Sequence, residues 1–197
     1  MKKLIAIASL AAIFTTSSAS AKTEGNYVGV DVLKASVKNN YKGDEGYYGK
    51  IKDDSIGLGL SYKHAFNYNQ IFLAPSVFFD KLGLEAIDSD DGSISLDYRY
   101  GAKLDLGYDF TEEFSLYATS GISNVSYKIN WPGVAKKNDS QSGYLYGVGA
   151  SYKFSKDISL NLEYNRQSLD LNTPDNSSIG KAESKLKVMK VGVSYSF

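Results

Sequence analysis

Side chains able to perform nucleophilic or metal chemistry are scarce in this chain. Cysteine is absent and histidine occurs once, at position 64. This composition excludes thiol catalysis, disulfides and zinc sites built from Cys and His. A serine–histidine pair needs both side chains within hydrogen-bonding distance, and the residue after His64 is Ala65. We therefore predict a solvated turn histidine at this position and no catalytic residue.

An acidic segment, residues 88–92 with the sequence DSDDG, offers oxygen ligands for a cation. A calcium loop of the EF-hand type needs Gly at its sixth position and Glu at its twelfth. Counted from Asp88, these positions hold Ser93 and Arg99. The spacing therefore predicts an acidic, solvated loop, and we expect neither a metal nor a cofactor.

A third group of charged residues lies in a stretch of strict alternation. Between residues 94 and 109, Asp97, Arg99, Lys103 and Asp105 share one set of alternate positions, and Leu, Tyr and Ala occupy the other. A period of two is that of a β-strand whose faces differ. The role of these charges depends on what encloses that face.

The same alternation recurs along the chain, and helical spacing is nowhere sustained. The predicted strands cover residues 26–37, 54–63, 70–80, 94–109, 114–129, 143–154, 158–165 and 189–197. Near Ser123 the apolar positions change parity, which predicts a bulge or the end of a membrane zone. Pro75 inside the third strand predicts a bulge or a missing ladder bond.

The connections between these strands alternate in length. The long ones are residues 38–53, 81–93, 130–142 and 170–184, and the short ones are residues 64–69, 109–113 and 155–157. An even number of antiparallel strands with long loops at one end is typical of outer-membrane barrels. We predict an all-β fold, an eight-stranded antiparallel up-and-down transmembrane β-barrel with four long external loops and three short periplasmic turns.

Residues 1–21 have the features of a cleaved export signal. The segment MKK is positive, residues 4–14 are apolar, and Ala19-Ser20-Ala21 is a small-residue cleavage site. The apolar run is too short to span a bilayer. We therefore predict a signal peptide over residues 1–21 and a barrel domain over residues 22–197.

Aromatic residues distinguish a membrane barrel from a soluble one. The chain has 16 Tyr and 9 Phe. Those near the long loops are Tyr98, Tyr100, Tyr144 and Tyr146, and those near the short turns are Tyr62, Tyr108, Phe110, Tyr152, Phe154, Tyr195 and Phe197. Two such girdles are expected at the two membrane interfaces. Lys+Arg and Asp+Glu both number 22, so there is no cationic excess for binding nucleic acid.

Lipid around the barrel would place the polar face of each strand in the lumen. Eight strands leave an interior that side chains just fill. The predicted lumen residues are Asp31, Lys63, Asp97, Arg99, Lys103, Asp105, Lys153 and Glu163. Since unpaired buried charges are costly, we expect ion pairs that join Arg99 and Lys103 to Glu163 and Asp31. A plug of ion pairs is the main hypothesis, and an ion pathway through the same pairs is the alternative.

The C-terminal segment, residues 190–197 with the sequence KVGVSYSF, resembles a family signal. It is similar to the terminal segment of small eight-stranded outer-membrane barrels related to outer-membrane proteins A and X and to the opacity-type surface antigens. The resemblance implies that the barrel-assembly machinery reads Gly192, Tyr195 and Phe197. It also implies a location in the outer membrane, in contact with its lipid, and we expect a monomer.

Because loops on rigid scaffolds often carry function, we predict that the external loops form the functional surface. Their candidate contact residues are Tyr41, Tyr47, Tyr48, Trp131, Lys136 and Lys137. Exposed Tyr and Trp are frequent contact anchors. With the resemblance, this favours a non-enzymatic adhesin or surface antigen that engages a host or other extracellular protein. A narrow porin-like channel is the alternative, and a lipid-modifying enzyme is less favoured because His64 falls at the periplasmic end.

Overall fold

The alternation of apolar and polar residues folds this chain into long strands. The computed structural model describes residues 23–42, 48–89, 92–130, 137–171 and 182–197. Its strands are β1 (Gly25–Lys42), β2 (Tyr48–Tyr68), β3 (Ile71–Ser89), β4 (Gly92–Asp109), β5 (Phe114–Asn130), β6 (Lys137–Lys153), β7 (Ile158–Leu171) and β8 (Ala182–Ser196). Each strand pairs antiparallel with the next, and β8 pairs with β1. The predicted closed up-and-down barrel is confirmed.

The apolar face of the strands points away from the barrel interior. Val30 and Leu58 are 56% and 61% exposed, whereas the side chain of Arg99 is fully buried. The predicted aromatic residues at both ends also lie on the outer surface, with exposures from 40% for Tyr98 to 80% for Tyr144. A soluble barrel has the opposite polarity, so this surface is built to face lipid. No helix in the described part of the chain is long and apolar enough to cross a membrane.

The predicted first turn, residues 64–69, is wrong. Strand β2 continues to Tyr68, and the turn consists of Asn69 and Gln70. Asn69 has a φ of 60°, a left-handed conformation that Asn tolerates better than most residues. His64 therefore lies in the ladder opposite Asn26, half-buried, and is not a solvated turn residue.

The strands also extend into the predicted external loops. The predicted loop 81–93 is wrong, because β3 runs to Ser89 and β4 begins at Gly92. The other three predicted loops lose residues to the flanking strands in the same way. Residues 43–47, 90–91, 131–136 and 172–181 lie outside the described residues. The predicted signal peptide, residues 1–21, lies outside them as well and stays a prediction.

β-bulges shift the register in the external halves of β3 and β4, and the bulge in β4 also changes the direction of its side chains. In residues 81–84, β3 has an extra residue relative to β4, and Gly83 adopts a φ of 63°. In β4, the pairing with β5 skips from Leu96 to Tyr98. Leu96 consequently points into the barrel and is fully buried, although the alternation predicted it on the lipid side. The same bulge displaces Asp97 from the lumen.

The change of parity near Ser123 has a different origin. The pairing of β5 with both neighbours runs through Ser123 without a register shift, which excludes a bulge in β5. Val125 and Tyr127 continue the inward positions of the strand and are buried. The parity change therefore marks the level at which the barrel interior becomes apolar.

Pro75 interrupts the ladder between β2 and β3. Pairs are formed by Lys63 with Ser76 and by Phe66 with Leu73, and the positions between them are unpaired at unchanged register. Proline has no N–H to donate, so the predicted loss of a ladder bond is confirmed.

The barrel interior is layered along its axis. We call the middle level the charged layer, formed by Asp31, Asp80, Arg99, Lys103, Asp105, Glu163 and Lys190. Towards the external end lies the apolar layer, formed by Leu33, Ala35, Val37, Leu82, Leu84, Leu96, Val125, Tyr127, Leu169, Leu186 and Val188. Towards the periplasmic turns, Tyr27, Ala65, Phe72, Ala74 and Tyr117 form a smaller cluster.

Candidate functional site

The charged layer is assembled by strand register. Asp80 on β3 lies directly opposite Arg99 on β4, and Glu163 on β7 lies opposite Lys190 on β8. Directly opposed residues on one face of an antiparallel pair have Cβ atoms about 5 Å apart, so opposite charges can meet. The layer draws residues from five strands, and only barrel closure brings them together.

Arg99 and Asp80 form the centre of the charged layer. Arg99 donates from Nη2 and Nε to Asp80 Oδ2 at 2.6 and 3.0 Å, and from Nη1 to Asn165 Oδ1 at 2.8 Å. Lys190 Nζ donates to Asp80 Oδ1 at 2.6 Å. The Phe78 ring lies 5.0 Å from the guanidinium and 4.8 Å from the ammonium group, within cation–π range. One carboxylate therefore bridges two cations that also contact the same aromatic ring.

These contacts correct the predicted partners of Arg99. Sequence reasoning paired it with Glu163 or Asp31, whereas it binds Asp80 on the neighbouring strand. Asp80 and Lys190 were absent from the predicted lumen residues. Both occupy inward positions of the alternation in their stretches, so parity alone could have found them.

The structure brings Lys103 and Glu163 together across the lumen, the pair that the sequence predicted. Lys103 Nζ binds Glu163 Oε2 and lies 3.4 Å from Asp105 Oδ1. Tyr117 donates its hydroxyl to Glu163 Oε2 at 3.2 Å, and Asn165 Nδ2 donates to Glu163 Oε1 at 2.9 Å. The carboxylate thus has a donor on each oxygen, which offsets its burial.

Asp31 lies beside this network without joining it by an ion pair. No cation among the described residues lies within 4.0 Å of its carboxylate, so the predicted pairing of Asp31 is corrected. A Cβ on Gly59 would approach Asp31 Oδ2 to 3.3 Å, and a Cβ on Gly192 would overlap the carboxylate. Glycine at these two positions makes room for the Asp31 side chain.

Asp97 is not a lumen residue, which corrects another prediction. The bulge turns it to the external rim, where its carboxylate lies 2.6 Å from Lys128 Nζ, and Lys128 is 58% exposed. The hydrogen bond from Lys128 and the negative charge of Asp97 raise the pKa of Lys128. Such exposed pairs contribute little to stability.

The remaining predicted lumen lysines lie nearer the periplasmic end. Lys63 Nζ is 4.9 Å from the ring centre of Tyr27 and 5.8 Å from that of Tyr117. Lys153 is the last residue of β6, and its backbone N–H donates to Glu113 O at 2.7 Å in the turn region. Neither lies at the centre of the charged layer.

Little free space remains between these side chains. A cavity of about 40 Å³ borders Asp31, Lys63, Lys103, Asp105 and Glu163. Asp105 Oδ1, Thr119 Oγ1 and Asn161 Oδ1 are buried acceptors without a hydrogen-bond partner in the described residues. A polar space of this size holds ordered water molecules rather than an organic ligand.

Both ends of the interior are closed in the described structure. At the periplasmic end, Thr23 donates its N–H and hydroxyl to Asp109 at 2.8 and 2.6 Å, and Asn67 Nδ2 donates to the same carboxylate at 3.0 Å. At the external end, every member of the apolar layer is at most 1% exposed. Side chains of the described strands therefore occupy the interior at both the periplasmic and the external level.

Among the described residues, the single histidine contacts an amide and an aromatic ring. His64 Nδ1 lies 2.8 Å from Asn26 Oδ1, and the His64 ring packs edge-on against Phe66 at 4.4 Å. Within the described residues there is no group of three or more His, Cys, Asp and Glu side chains that could hold a metal ion. The acidic segment 88–92 falls at the ends of β3 and β4, with residues 90–91 outside the described chain.

The predicted assembly residues occupy the last strand. Gly192 faces the lumen, whereas Tyr195 and Phe197 are 54% and 66% exposed on the outer surface with their rings stacked 6.5 Å apart. Of the predicted loop residues, Tyr41, Tyr48 and Lys137 belong to strand ends. The other three, Tyr47, Trp131 and Lys136, lie outside the described residues.

A closed barrel with an apolar exterior and a charged interior defines an integral membrane β-barrel. A family model described as the outer membrane protein beta-barrel domain matches residues 5–197. The chain belongs to this family and is a protein of the outer membrane. No match was found among curated proteins.

Several solved structures have the same fold as this chain. Ail, the attachment invasion locus protein of Yersinia pestis, has a TM-score of 0.55 at 20% identity, over 88% of this chain and 99% of that chain. Neisserial surface protein A has a TM-score of 0.53 at 16% identity, over 88% and 98%. OprG from Pseudomonas aeruginosa has a TM-score of 0.56 at 15% identity, over 90% and 98%. These likenesses show the fold.

Proposed function

We propose that this protein is a non-enzymatic surface protein whose external loops bind an extracellular partner such as a host protein. The observation that carries the proposal is the filled lumen. The charged layer and the apolar layer leave a cavity of about 40 Å³, so transport is disfavoured along the described strands. Function is then left to the external surface, where binding loops on rigid barrels concentrate.

Strand pairing continues beyond the apolar band at the external end of the barrel. Strands β1 and β2 pair as far as Lys42 and Tyr48, well beyond the last outward apolar residues Val32 and Ile56. The described part of this hairpin therefore extends well beyond the apolar band. One structural relative, Ail, is named for attachment and invasion, which supports the same kind of role for this chain. The predicted contact residues Tyr41, Tyr47, Tyr48, Trp131, Lys136 and Lys137 are the proposed anchors.

A loop exchange tests the proposal. Residues 43–47 and 131–136 are replaced by Gly-Ser linkers of equal length, and bacteria producing each form are counted on cultured epithelial cells. We expect the exchange to abolish attachment while the folded, heat-modifiable barrel is retained in the outer membrane. A matched control replaces the periplasmic turn residues 111–112 and should attach normally. Undiminished attachment of the loop variant, or no attachment by the wild type, contradicts the proposal.

The proposed biogenesis follows from the two ends of the sequence. Residues 1–21 direct export, and the terminal segment with Gly192, Tyr195 and Phe197 is recognised by the barrel-assembly machinery. The outward exposure of Tyr195 and Phe197 supports recognition from the lipid side. The barrel closes without a second chain, which supports a monomer.

A further inference from the structure

A group of cations lies on the outer surface of β7, β8 and β1, near the external edge of the apolar band. We call it the cationic patch, formed by Lys34, Lys38, Arg166, Lys185 and Lys187. Lys187 is half-buried and the other four are exposed. Arg166 is paired in register with Lys187, and Lys185 is paired with Lys38. The five side chains therefore lie on neighbouring strands as one continuous surface.

The register fixes the level of the patch relative to the membrane. The next outward residue towards the periplasm is Val32 below Lys34, Tyr164 below Arg166, and Met189 below Lys187. Arg166 lies in register with Tyr146 of the external aromatic girdle. Its Nε donates to the Tyr164 hydroxyl at 2.8 Å, and its guanidinium lies 5.4 Å from the centre of that ring. Aromatic girdles mark the headgroup level, so the patch lies at that level too.

The external aromatic girdle is unevenly distributed around the barrel at this level. On β4, and on β6 next to β7, the outward positions hold Tyr98, Tyr100, Tyr144 and Tyr146. On β7, β8 and β1 cations occupy the corresponding level. Tyrosine suits any interface, whereas a concentration of cations selects anionic headgroups. At the headgroup level, the outer surface of β7, β8 and β1 is therefore chemically different from that of β4 and β6.

Among the side chains that the structure describes, the cationic patch has little neutralisation. Like charges directly opposite each other on an antiparallel pair are destabilising. Among the described side chains, the ion pair formed by a patch member is that of Lys34 with Asp54, at 4.0 Å. Lys38, Lys185 and Lys187 have no acidic partner in the described part of the chain. An external anion would relieve this repulsion.

We propose that the cationic patch binds the phosphate groups of an outer-leaflet glycolipid whose acyl chains lie against the apolar band. Neighbouring strands are about 4.8 Å apart and alternate residues about 6.8 Å apart, so the patch spans roughly 10 Å across the strands and roughly 14 Å along them. That span matches two phosphates on adjoining sugars. The apolar residues next to the patch explain why the occupant is a lipid and not a free anion.

Lipid binding by the refolded protein in non-ionic detergent tests the proposal, with native mass spectrometry as the readout. The probes are bisphosphorylated lipid A and the same lipid after removal of both phosphates. The variant K185S/K187S removes two patch cations, and the control K81S/K128S removes two exposed external cations on β3 and β5. The heat-dependent gel shift shows that each form is folded, and single Lys→Gln variants replace any double variant that does not fold.

We expect bisphosphorylated lipid A to bind the wild type and the control variant equally, and to bind K185S/K187S at least tenfold more weakly. Dephosphorylated lipid A should bind all three forms equally weakly. Equal losses in both double variants would show general electrostatic attraction and overturn the site. Equal binding of the two lipids would remove the role of phosphate. Displacement of lipid A by an equal concentration of inorganic pyrophosphate would show a free-anion site and overturn the lipid assignment.

Discussion

At the residue scale, the interior depends on charges that are satisfied as a group. Asp80 accepts from Arg99 and from Lys190, and Glu163 accepts from Lys103, Tyr117 and Asn165. A buried ion pair adds little net stability over an apolar pair, but removal of one member leaves an uncompensated charge. The charged layer is therefore sensitive to single substitutions.

Arg99→Gln should destabilise the folded barrel by about 3–5 kcal/mol, because Asp80 loses a cation and Asn165 loses its donor. Lys128→Gln, which breaks the exposed pair with Asp97, should cost about 0–1 kcal/mol. Unfolding by guanidinium chloride in lipid vesicles, followed by gel mobility, measures both. Equal midpoints for the two variants would show that the charged layer is not a stabilising unit.

Gly192 and Phe197 should separate two roles of the terminal strand. An alanine Cβ at position 192 would overlap the Asp31 carboxylate and lie 2.5 Å from Val30 O, whereas the Phe197 side chain is exposed. Gly192→Ala should therefore reduce the folded yield in purified lipid, where no assembly machinery is present. Phe197→Ala should fold normally there and lose assembly in cells. Normal folding of Gly192→Ala in purified lipid would contradict the steric role.

At the element scale, a bulge in β4 decides which of its residues reach the lumen. The skipped pairing at Asp97 turns Leu96 of β4 inward at the external end, where it joins Leu82 and Leu84, which keep the unbroken alternation of β3. Without the shift in β4, Asp97 would enter the apolar layer as an unpaired charge. The bulge in β4 therefore completes the external seal.

Gly83→Ala tests the bulge in β3. Space is open at this position, since the nearest heavy atom to an added Cβ is Ser55 Oγ at 3.6 Å. The cost is conformational, because φ is 63° and a non-glycine residue in the left-handed region loses about 1–2 kcal/mol. The denaturant concentration at the midpoint of unfolding should fall accordingly. It should fall less for Gly83→Asn, because Asn tolerates the left-handed region better than Ala. A midpoint unchanged by alanine would show that β3 relaxes out of the bulge.

At the scale of the whole molecule, the barrel is polar in its middle and apolar at its external end. Ten of the eleven members of the apolar layer have no polar side-chain atom, and the exception is Tyr127. This order places an apolar seal between the charged layer and the external end.

Planar-bilayer recording tests the seal. The wild type should show no steady single-channel conductance. A variant with Leu33, Leu82 and Leu186 replaced by Ala should show conductance, whereas replacement of the lipid-facing Leu58, Leu60 and Leu160 by Ala should not. Steady wild-type conductance that changes with Glu163→Gln would instead favour the narrow-channel alternative.

The strands and their polarity were determined by the sequence itself. Alternation is a local property, so Val28, Val30 and Val32 on the lipid face and Asp31 on the lumen face could be assigned without a partner strand. The aromatic positions followed from the same parity. The alternation likewise predicted the terminal strand and the outward direction of Tyr195 and Phe197.

Tertiary structure alone decided which charges meet and where the strands end. Arg99 binds Asp80 and not Glu163 because partners across the lumen depend on register and closure, which no single strand encodes. Asp97 left the lumen because a bulge shifts parity by one residue. The strands extend into the segments predicted as loops because cross-strand pairing stabilises segments whose own alternation is weak. Local pattern fixes faces, and pairing between distant segments fixes neighbours.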